Sequence, residues 1–398
     1  MEVIFFSLRA LSPRDFKRFG VTIFQRNGYK VTFFDLSPFL FPEMYKNTKI
    51  FPEYENIETH ILTQKDAIVR ISELPRSSYV VSFAPYSIST YGLFRALSRA
   101  GINYSIFLAN AIPTVNIEST RLGRLIKKVR NVSLSRLVRY PLNYLFRPEW
   151  ARYLGVRPPA FLFAAGLESL ELGQAALRKP NPEILWAHTL DYDIYLDWKA
   201  SEKEEVAGKN IAVFLDSPTP RFKRDSLIPG VFNYLTEERY YPSLCKYFDE
   251  IEKQLKIEVE IAAHPGSTHE EYPDYFGGRR VIHWKTFDLV ARSKLVINRD
   301  STAMNFAVML GKPVVFVTSC EAEDHPENYL AGSIRAMASW LGKKPINIDD
   351  PKEMWCLDDE LLIDREAYRR YKESYIKHGG PDINSWQILV EKLKEISK

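Results

Sequence analysis

Short apolar runs alternate with segments of helical spacing along most of the chain, and that alternation at this pitch demands βαβ units around parallel sheets. Glu2–Leu8 is the first run, followed by helical spacing over Arg14–Arg26 that stops at Asn27-Gly28. Tyr29–Asp35, Tyr79–Phe83 and Ile102–Leu108 read as further strands, with a helix over Thr90–Ala100 closed by Gly101. These runs are short and rich in β-formers, the pattern of strands buried on both faces. A helical run near Ala160–Ala176 and a strand at Glu183–His188 continue the series. Asp197–Lys209 is polar and reads as a linker. Beyond it come strands at Asn210–Leu215, Glu258–Ala263, Lys294–Asn298 and Pro313–Thr318, with helices at Ser243–Lys256, Thr286–Ala291 and Ser301–Leu310. The expectation is an α/β protein of two Rossmann-like domains, residues 1–200 and 201–398. The helical tail from Asp364 supplies a last helix able to cross back.

Composition narrows the function classes. With 45% hydrophobic and 26% charged residues the chain is globular, not disordered or collagen-like. The 54 basic residues exceed the 50 acidic ones by only four, too little to imply nucleic acid, and no nucleic-acid-binding motif appears. Cys245, Cys320 and Cys356 are odd in number and widely spaced, which excludes a disulfide framework and a cysteine-rich zinc site. The seven histidines are scattered, so no metal site is expected. No apolar stretch is long enough for a spanning helix, and the N-terminus reads as a buried strand, so a cytoplasmic protein is expected.

One segment breaks the pattern. Residues 121–152 carry nine basic residues against one acidic residue, with Leu, Val, Tyr and Phe between them. This insertion reads either as a solvated helical face or as a basic amphipathic patch for an anionic lipid or acceptor. The second reading adds peripheral contact with the inner face of the cytoplasmic membrane.

Three constellations carry chemistry. The first is the run from Glu258 to Ser319. His264-Pro265-Gly266 follows an apolar strand, and a residue before proline is pushed to extended geometry. His264 therefore belongs at the carboxyl end of its strand, where open α/β sheets bind ligands. The spacing of Ser267 and Glu270 is that of a capping box, so a helix is expected to open there. Further on, Arg299-Asp300-Ser301-Thr302 separates a strand from a helix. It reads either as a helix cap or as a phosphate site built on backbone N–H groups and hydroxyls. The second constellation is Asp216, at the end of an apolar strand and cut off by Ser217-Pro218-Thr219-Pro220. The third is His188-Thr189-Leu190-Asp191-Tyr192-Asp193, whose two carboxylates, read as extended chain, point the same way. They orient an acceptor hydroxyl, act as acid and base, or are solvated. Glu168 and Glu171 are weaker acid/base candidates. Phosphate-binding glycine loops and the nucleophile elbow of hydrolases are missing from the sequence.

The His264-Pro265 turn, then Ser301-Thr302 opening a helix that closes on Gly311-Lys312-Pro313, resembles the nucleotide-binding half of GT-B glycosyltransferases. The likeness is to bacterial surface-polysaccharide enzymes using CMP-activated sugars, sialyltransferases and retaining β-Kdo (3-deoxy-manno-octulosonate) transferases among them. It covers roughly residues 180–390. It implies the GT-B arrangement, two Rossmann-like domains facing across a cleft, with the acceptor on the first and the nucleotide sugar on the second. It assigns His264, Pro265, Gly266, Ser301 and Thr302 to the CMP, and Lys285, in Trp284-Lys285-Thr286, to a substrate carboxylate or phosphate. Asp216 matches the position of the nucleophile, with His264 and Asp191 as further catalytic candidates and His188 and Asp193 as acceptor contacts.

The activity expected from the resemblance is transfer of Kdo from CMP-Kdo to a bacterial surface glycan (O-antigen, capsule or lipopolysaccharide) or lipid-linked acceptor, with retention through a glycosyl–Asp216 intermediate. No metal or other cofactor is expected. The alternatives are an inverting transferase using CMP-sialic acid or another nucleotide sugar, a two-Rossmann epimerase, and a non-catalytic nucleotide- or glycan-binding subunit.

Overall fold

The computed structural model describes residues 1–46, 48–113, 144–178, 183–201, 210–221, 235–267, 273–325, 329–351, 355 and 357–396. Most of the basic segment, residues 202–209 of the expected linker and residues 268–270 of the expected helix start lie outside the described residues. The chain divides into two compact units. One comprises Met1–Ala111, Glu118–Leu190 and Lys377–Lys398, the other Ile112–Ile117 and Asp191–Ile376.

In the first unit, strands β1 (Glu2–Ser7), β2 (Lys30–Asp35), β3 (Glu58–His60), β4 (Tyr79–Ser82), β5 (Asn103–Phe107), β6 (Phe161–Ala164) and β7 (Glu183–Trp186) form a seven-stranded sheet in the order β3-β2-β1-β4-β5-β6-β7. The pairings are parallel throughout. Alternate residues of β1 enter different cores: Val3 and Phe5 pack on one face, Ile4 and Phe6 on the other. Both faces are thus apolar, as a parallel sheet requires.

The C-terminal helix Ser385–Ile396 completes the first of these cores. Its Trp386 is fully buried, lies stacked on Phe107 and Phe163 at 5.8 and 5.6 Å between ring centroids, and donates Nε1–H to the Arg18 carbonyl at 2.7 Å. This ring also accounts for a difference near the N-terminus. The expected single helix over Arg14–Arg26 is two, Pro13–Arg18 and Val21–Arg26, broken at Gly20 with φ +60°. A Cβ on Gly20 would sit 2.5 Å from Trp386 Cδ1, so glycine is required both by the left-handed backbone and by the close approach of the indole.

The expected helix over Ala160–Ala176 is instead β6 followed by 3₁₀ turns at Leu167–Leu170 and Gly173–Arg178. All four residues of β6 are buried, and periodicity cannot distinguish a short, fully buried strand from a helix segment.

The second unit holds β8 (Ile211–Leu215), β9 (Glu258–Ala262), β10 (Val281–Ile282), β11 (Leu295–Asn298), β12 (Val314–Thr318) and β13 (Ile346–Asn347), again parallel, in the order β10-β9-β8-β11-β12-β13. Helix Glu237–Leu255 starts upstream of the expected Ser243 and carries Pro242 inside it, a residue that cannot donate to the turn before it. Each unit has the Rossmann strand order, so the expected fold class, α/β with two Rossmann-like domains, is the one observed. In the second sheet the order reverses between β8 and β11. In open α/β sheets such a reversal is where ligands bind, outside the carboxyl ends of the strands.

Candidate functional site

Asp216 follows β8 directly and is buried, 5% exposed. Its backbone N–H extends the pairing by donating to the Ala262 carbonyl at 3.1 Å, and its Oδ2 accepts the His264 N–H at 3.2 Å. The carboxylate therefore ties the ends of β8 and β9 together. His264-Pro265-Gly266-Ser267 is a β-turn, with Ser267 N–H donating to the His264 carbonyl at 2.9 Å and proline at the second position. Within this turn Gly266 N–H donates to His264 Nδ1 at 3.1 Å. A neutral imidazole that accepts at Nδ1 carries its proton on Nε2, the tautomer that donates to an anion.

On the other side of the reversal, β11 runs into Arg299-Asp300-Ser301-Thr302. Asp300 Oδ1 accepts the Ser217 hydroxyl at 2.6 Å and Arg299 Nε–H at 3.0 Å. The Arg299 guanidinium also donates to the Thr219 carbonyl at 2.9 Å and to Thr219 Oγ1 at 2.8 Å, and lies 5.2 Å from the centre of the Tyr240 ring. Arg299 is only 1% exposed. Burial pushes its pKa down, but the charge and hydrogen bond of Asp300, with Asp216 behind them, outweigh burial and hold it above the ordinary value. Burial likewise pushes the Tyr240 hydroxyl up to about 12, against the Arg299 charge. Arg299 thus braces the Ser217–Pro220 turn against the end of β11. Its basic head gave no sign of this in the sequence, where it read as one of four polar residues in a turn.

The helix after this turn is shorter than expected. It runs Met304–Leu310, so Ser301 and Thr302 precede it rather than open it, and the residue at the N-cap is Ala303. Met304, Asn305 and Phe306 donate to Ser301, Thr302 and Ala303, three residues back, a tightened approach to the helix. Asn298 Oδ1 accepts the Ser301 N–H at 3.0 Å and so fixes the turn from the strand side. Thr302 is exposed and Ser301 half-buried. Lys285 is exposed as well, after β10 and before helix Thr286–Arg292, next to Trp284, an exposed aromatic at φ +63°. Asp216, the His264-Pro265-Gly266 turn, Lys285 and Ser301-Thr302 therefore follow the carboxyl ends of β8, β9, β10 and β11, one edge of one sheet.

The third constellation departs from its sequence reading. Leu190–Ala200 is a helix, not an extended segment, with both aspartates in its first turn. Residues two apart on a helix face nearly opposite ways, so Asp191 and Asp193 do not point together. Asp191 Oδ2 accepts from Asn305 Nδ2 at 3.2 Å, and Asn305 Oδ1 accepts the Tyr371 hydroxyl at 3.1 Å. Asn305, unremarked in the sequence, thus links Asp191 to the helix that follows Ser301-Thr302. Asp193 is buried in the same turn. His188 belongs to the packing of the first unit. It is fully buried, Nε2 lies 2.9 Å from the Ile383 carbonyl, and Nδ1 lies 3.0 Å from Ser385 Oγ and 3.1 Å from the Thr189 carbonyl. Burial lowers its pKa. Glu168 and Glu171 lie at a 3₁₀ turn, not on a helix, and burial, then the neighbouring Glu171 charge, raises the Glu168 pKa.

No protein-family model matches the chain. Among solved structures it is similar to MurG of Acinetobacter baumannii, at 12% identity and a TM-score of 0.49 over 99% of each chain. It is similar to the UDP-GlcNAc 2-epimerase of Methanocaldococcus jannaschii, at 13% identity and a TM-score of 0.48 over 99% of this chain and 100% of the other. The wall teichoic acid polymerase TagF is matched at 13% identity and a TM-score of 0.47 over 100% of this chain and 89% of the other. At such identities and TM-scores, the fold of this chain stands on its own strand order.

Proposed function

We propose that the chain is a GT-B glycosyltransferase that moves Kdo from CMP-Kdo to a bacterial surface glycan or lipid-linked acceptor, with retention of anomeric configuration. The observation that carries this reading is the Asp216–His264 junction, 3.2 Å at the ends of β8 and β9, beside the strand-order reversal where a nucleotide site is expected. His264 Nε2–H and the Ser301 and Thr302 hydroxyls stabilise the phosphate as it leaves with CMP, an electrostatic contribution aimed at developing charge. Lys285 pairs with the sugar carboxylate. The Asp216 carboxylate attacks the anomeric carbon as its bond to the phosphate oxygen breaks. The acceptor hydroxyl then displaces Asp216, its proton passing to a base for which Asp191 is the candidate. Positive groups and phosphate donors do this work, and no metal ion is assigned to it.

Intact-protein mass spectrometry after incubation with a panel of CMP- and UDP-sugars tests the donor and the covalent step together. CMP release with a Kdo adduct supports the reading. Turnover of a UDP-sugar alone replaces the donor, and thermal stabilisation by CMP without turnover makes the chain a binding subunit. His264→Ala removes one charge-assisted hydrogen bond, a loss of about 1.5–3 kcal/mol, so calorimetry should find CMP affinity roughly tenfold to a hundredfold weaker. Unchanged affinity in both His264→Ala and Ser301→Ala would remove CMP from this edge.

The acceptor side of the proposal includes peripheral contact with anionic membrane from the cytoplasm. Among the described residues no helix is long and apolar enough to cross a membrane. The described end of the basic segment exposes Tyr144, Leu145, Trp150 and Tyr153, the last 80% exposed, and Arg147 lies over the Tyr144 ring at 4.5 Å. Aromatic and basic side chains together suit an anionic interface. Sedimentation with anionic vesicles should fall steeply as salt shortens screening to about 8 Å, and should drop in a Trp150→Ala, Tyr153→Ala variant. Binding indifferent to lipid charge leaves this segment a solvated face.

A further inference from the structure

The sheet of the first unit gathers three metal-ligating side chains that the sequence scatters. Parallel pairing of β2 with β3 sets Asp35 opposite His60, and Glu58, two residues before His60 on β3, shares its face. One donor atom from each of Asp35, Glu58 and His60 lies within 4.8 Å of the other two. Each carboxylate is oriented by the backbone through one oxygen: Ser37 N–H donates to Asp35 Oδ1 at 2.9 Å, and Leu11 N–H donates to Glu58 Oε1 at 2.6 Å. The second oxygens turn toward the imidazole, with Asp35 Oδ2 3.0 Å from Nδ1 and Glu58 Oε2 3.9 Å from Nε2. Both carboxylates are buried, their side chains 0% and 2% exposed, while the His60 side chain is 25% exposed and gives the cluster an edge on solvent. Among the described residues Glu58 Oε2 accepts no hydrogen bond.

The set places two buried carboxylates around one imidazole, and buried carboxylates are costly unless a cation or hydrogen-bond donors pair with them. We propose that Asp35, Glu58 and His60 bind a first-row divalent transition-metal ion. A set of two carboxylates and one imidazole suits Zn²⁺ or Mn²⁺ better than Mg²⁺, which keeps to oxygen ligands. Donors at 2.0–2.2 Å from a tetrahedral Zn²⁺ lie about 3.3–3.6 Å apart, so separations of up to 4.8 Å close by about an ångström around a bound ion. The Ser37 and Leu11 N–H groups hold the ligating carboxylates in place, as outer partners of metal ligands do. The bound ion ties the loop at Leu11 to the ends of β2 and β3. None of the three ligands belongs to the sheet that carries Asp216, His264 and Ser301, so this site stands or falls independently of the glycosyltransferase reading.

The test uses the full chain, stripped with a chelator and dialysed separately against Zn²⁺, Co²⁺, Mn²⁺ and Mg²⁺. One transition-metal ion per chain is expected, with a raised thermal midpoint and no comparable response to Mg²⁺. His60→Ala and Glu58→Gln should each weaken binding at least about tenfold, and the midpoint should no longer rise with metal. Zinc can also bind cysteines, so the wild-type Co²⁺ spectrum serves as a second readout that does not depend on the variants folding. A spectrum without a thiolate charge-transfer band is expected. Such a band, unchanged binding in either folded variant, or no stoichiometric uptake of Zn²⁺, Co²⁺ or Mn²⁺ by the wild type would each overturn the site.

Discussion

Asp216→Asn should cut sugar transfer by at least about a thousandfold, ~4 kcal/mol of barrier, while folding and CMP affinity stay near wild type. The substitution separates two roles that the geometry gives this side chain. As a brace, Asp216 accepts the His264 N–H at 3.2 Å, and the amide oxygen of asparagine can accept that same bond. As a nucleophile it must supply an anionic oxygen to the anomeric carbon, which an amide cannot do. A brace alone predicts nearly full activity in Asp216→Asn and a deficit in Asp216→Ala. A nucleophile predicts that both variants are inactive, with CMP still bound by Asp216→Asn. In the wild type, enzyme trapped with donor should gain one Kdo mass on the peptide containing Asp216. An adduct on another residue moves the nucleophile, and a product of inverted configuration rejects double displacement altogether.

The strands were legible because each is a short apolar run ended by a residue that cannot extend it. Asp216 before Ser-Pro-Thr-Pro and His264 before Pro265 are read off the sequence for that reason, and both sit within a residue or two of where β8 and β9 end. What local pattern cannot encode is which strand lies beside which. The reversal between β8 and β11 is a property of the whole sheet, and it alone brings Asp300 to Ser217 across 83 residues of sequence. The same limit hid Asp35 from His60 across the β2–β3 pairing, so the compact cluster of Asp35, Glu58 and His60 could not be seen among scattered histidines. Leu190–Ala200 was misread for another reason. Leu190, Tyr192, Ile194, Tyr195, Leu196 and Trp198 are spread around the helix and its first turn is acidic, so helical periodicity was faint, although Asp191 and Asp193 are residues that a helix N-terminus favours. Ala160–Ala176 failed in the opposite direction, because alanine and leucine promote helix while burial of Phe161–Ala164 between β5 and β7 overrode that propensity.

Arg299→Met should destabilise the second unit by about 3–5 kcal/mol, the range for removing one partner of a buried charge pair. Methionine fills much of the same space, so the loss is electrostatic rather than a cavity. It leaves Asp300 with the Ser217 hydroxyl but without its cation, and it leaves the Thr219 carbonyl and hydroxyl without the two donors that held the turn. Lysine should not rescue the site, because one ammonium cannot reproduce a planar fork that meets Asp300 and Thr219 together while lying over Tyr240. Asp300→Asn in the Arg299→Met background removes the stranded charge, so the double variant should be more stable than the single one. Denaturant midpoints of the four proteins make the cycle, and additive effects at Arg299 and Asp300 would show that the pair is not coupled. The consequence reaches function through Ser217–Pro220. That turn follows Asp216 directly, so a variant that folds but has lost the brace should keep the carboxylate and lose its aim. It should show weakened transfer with CMP affinity little changed, since the His264 turn is held by its own hydrogen bonds.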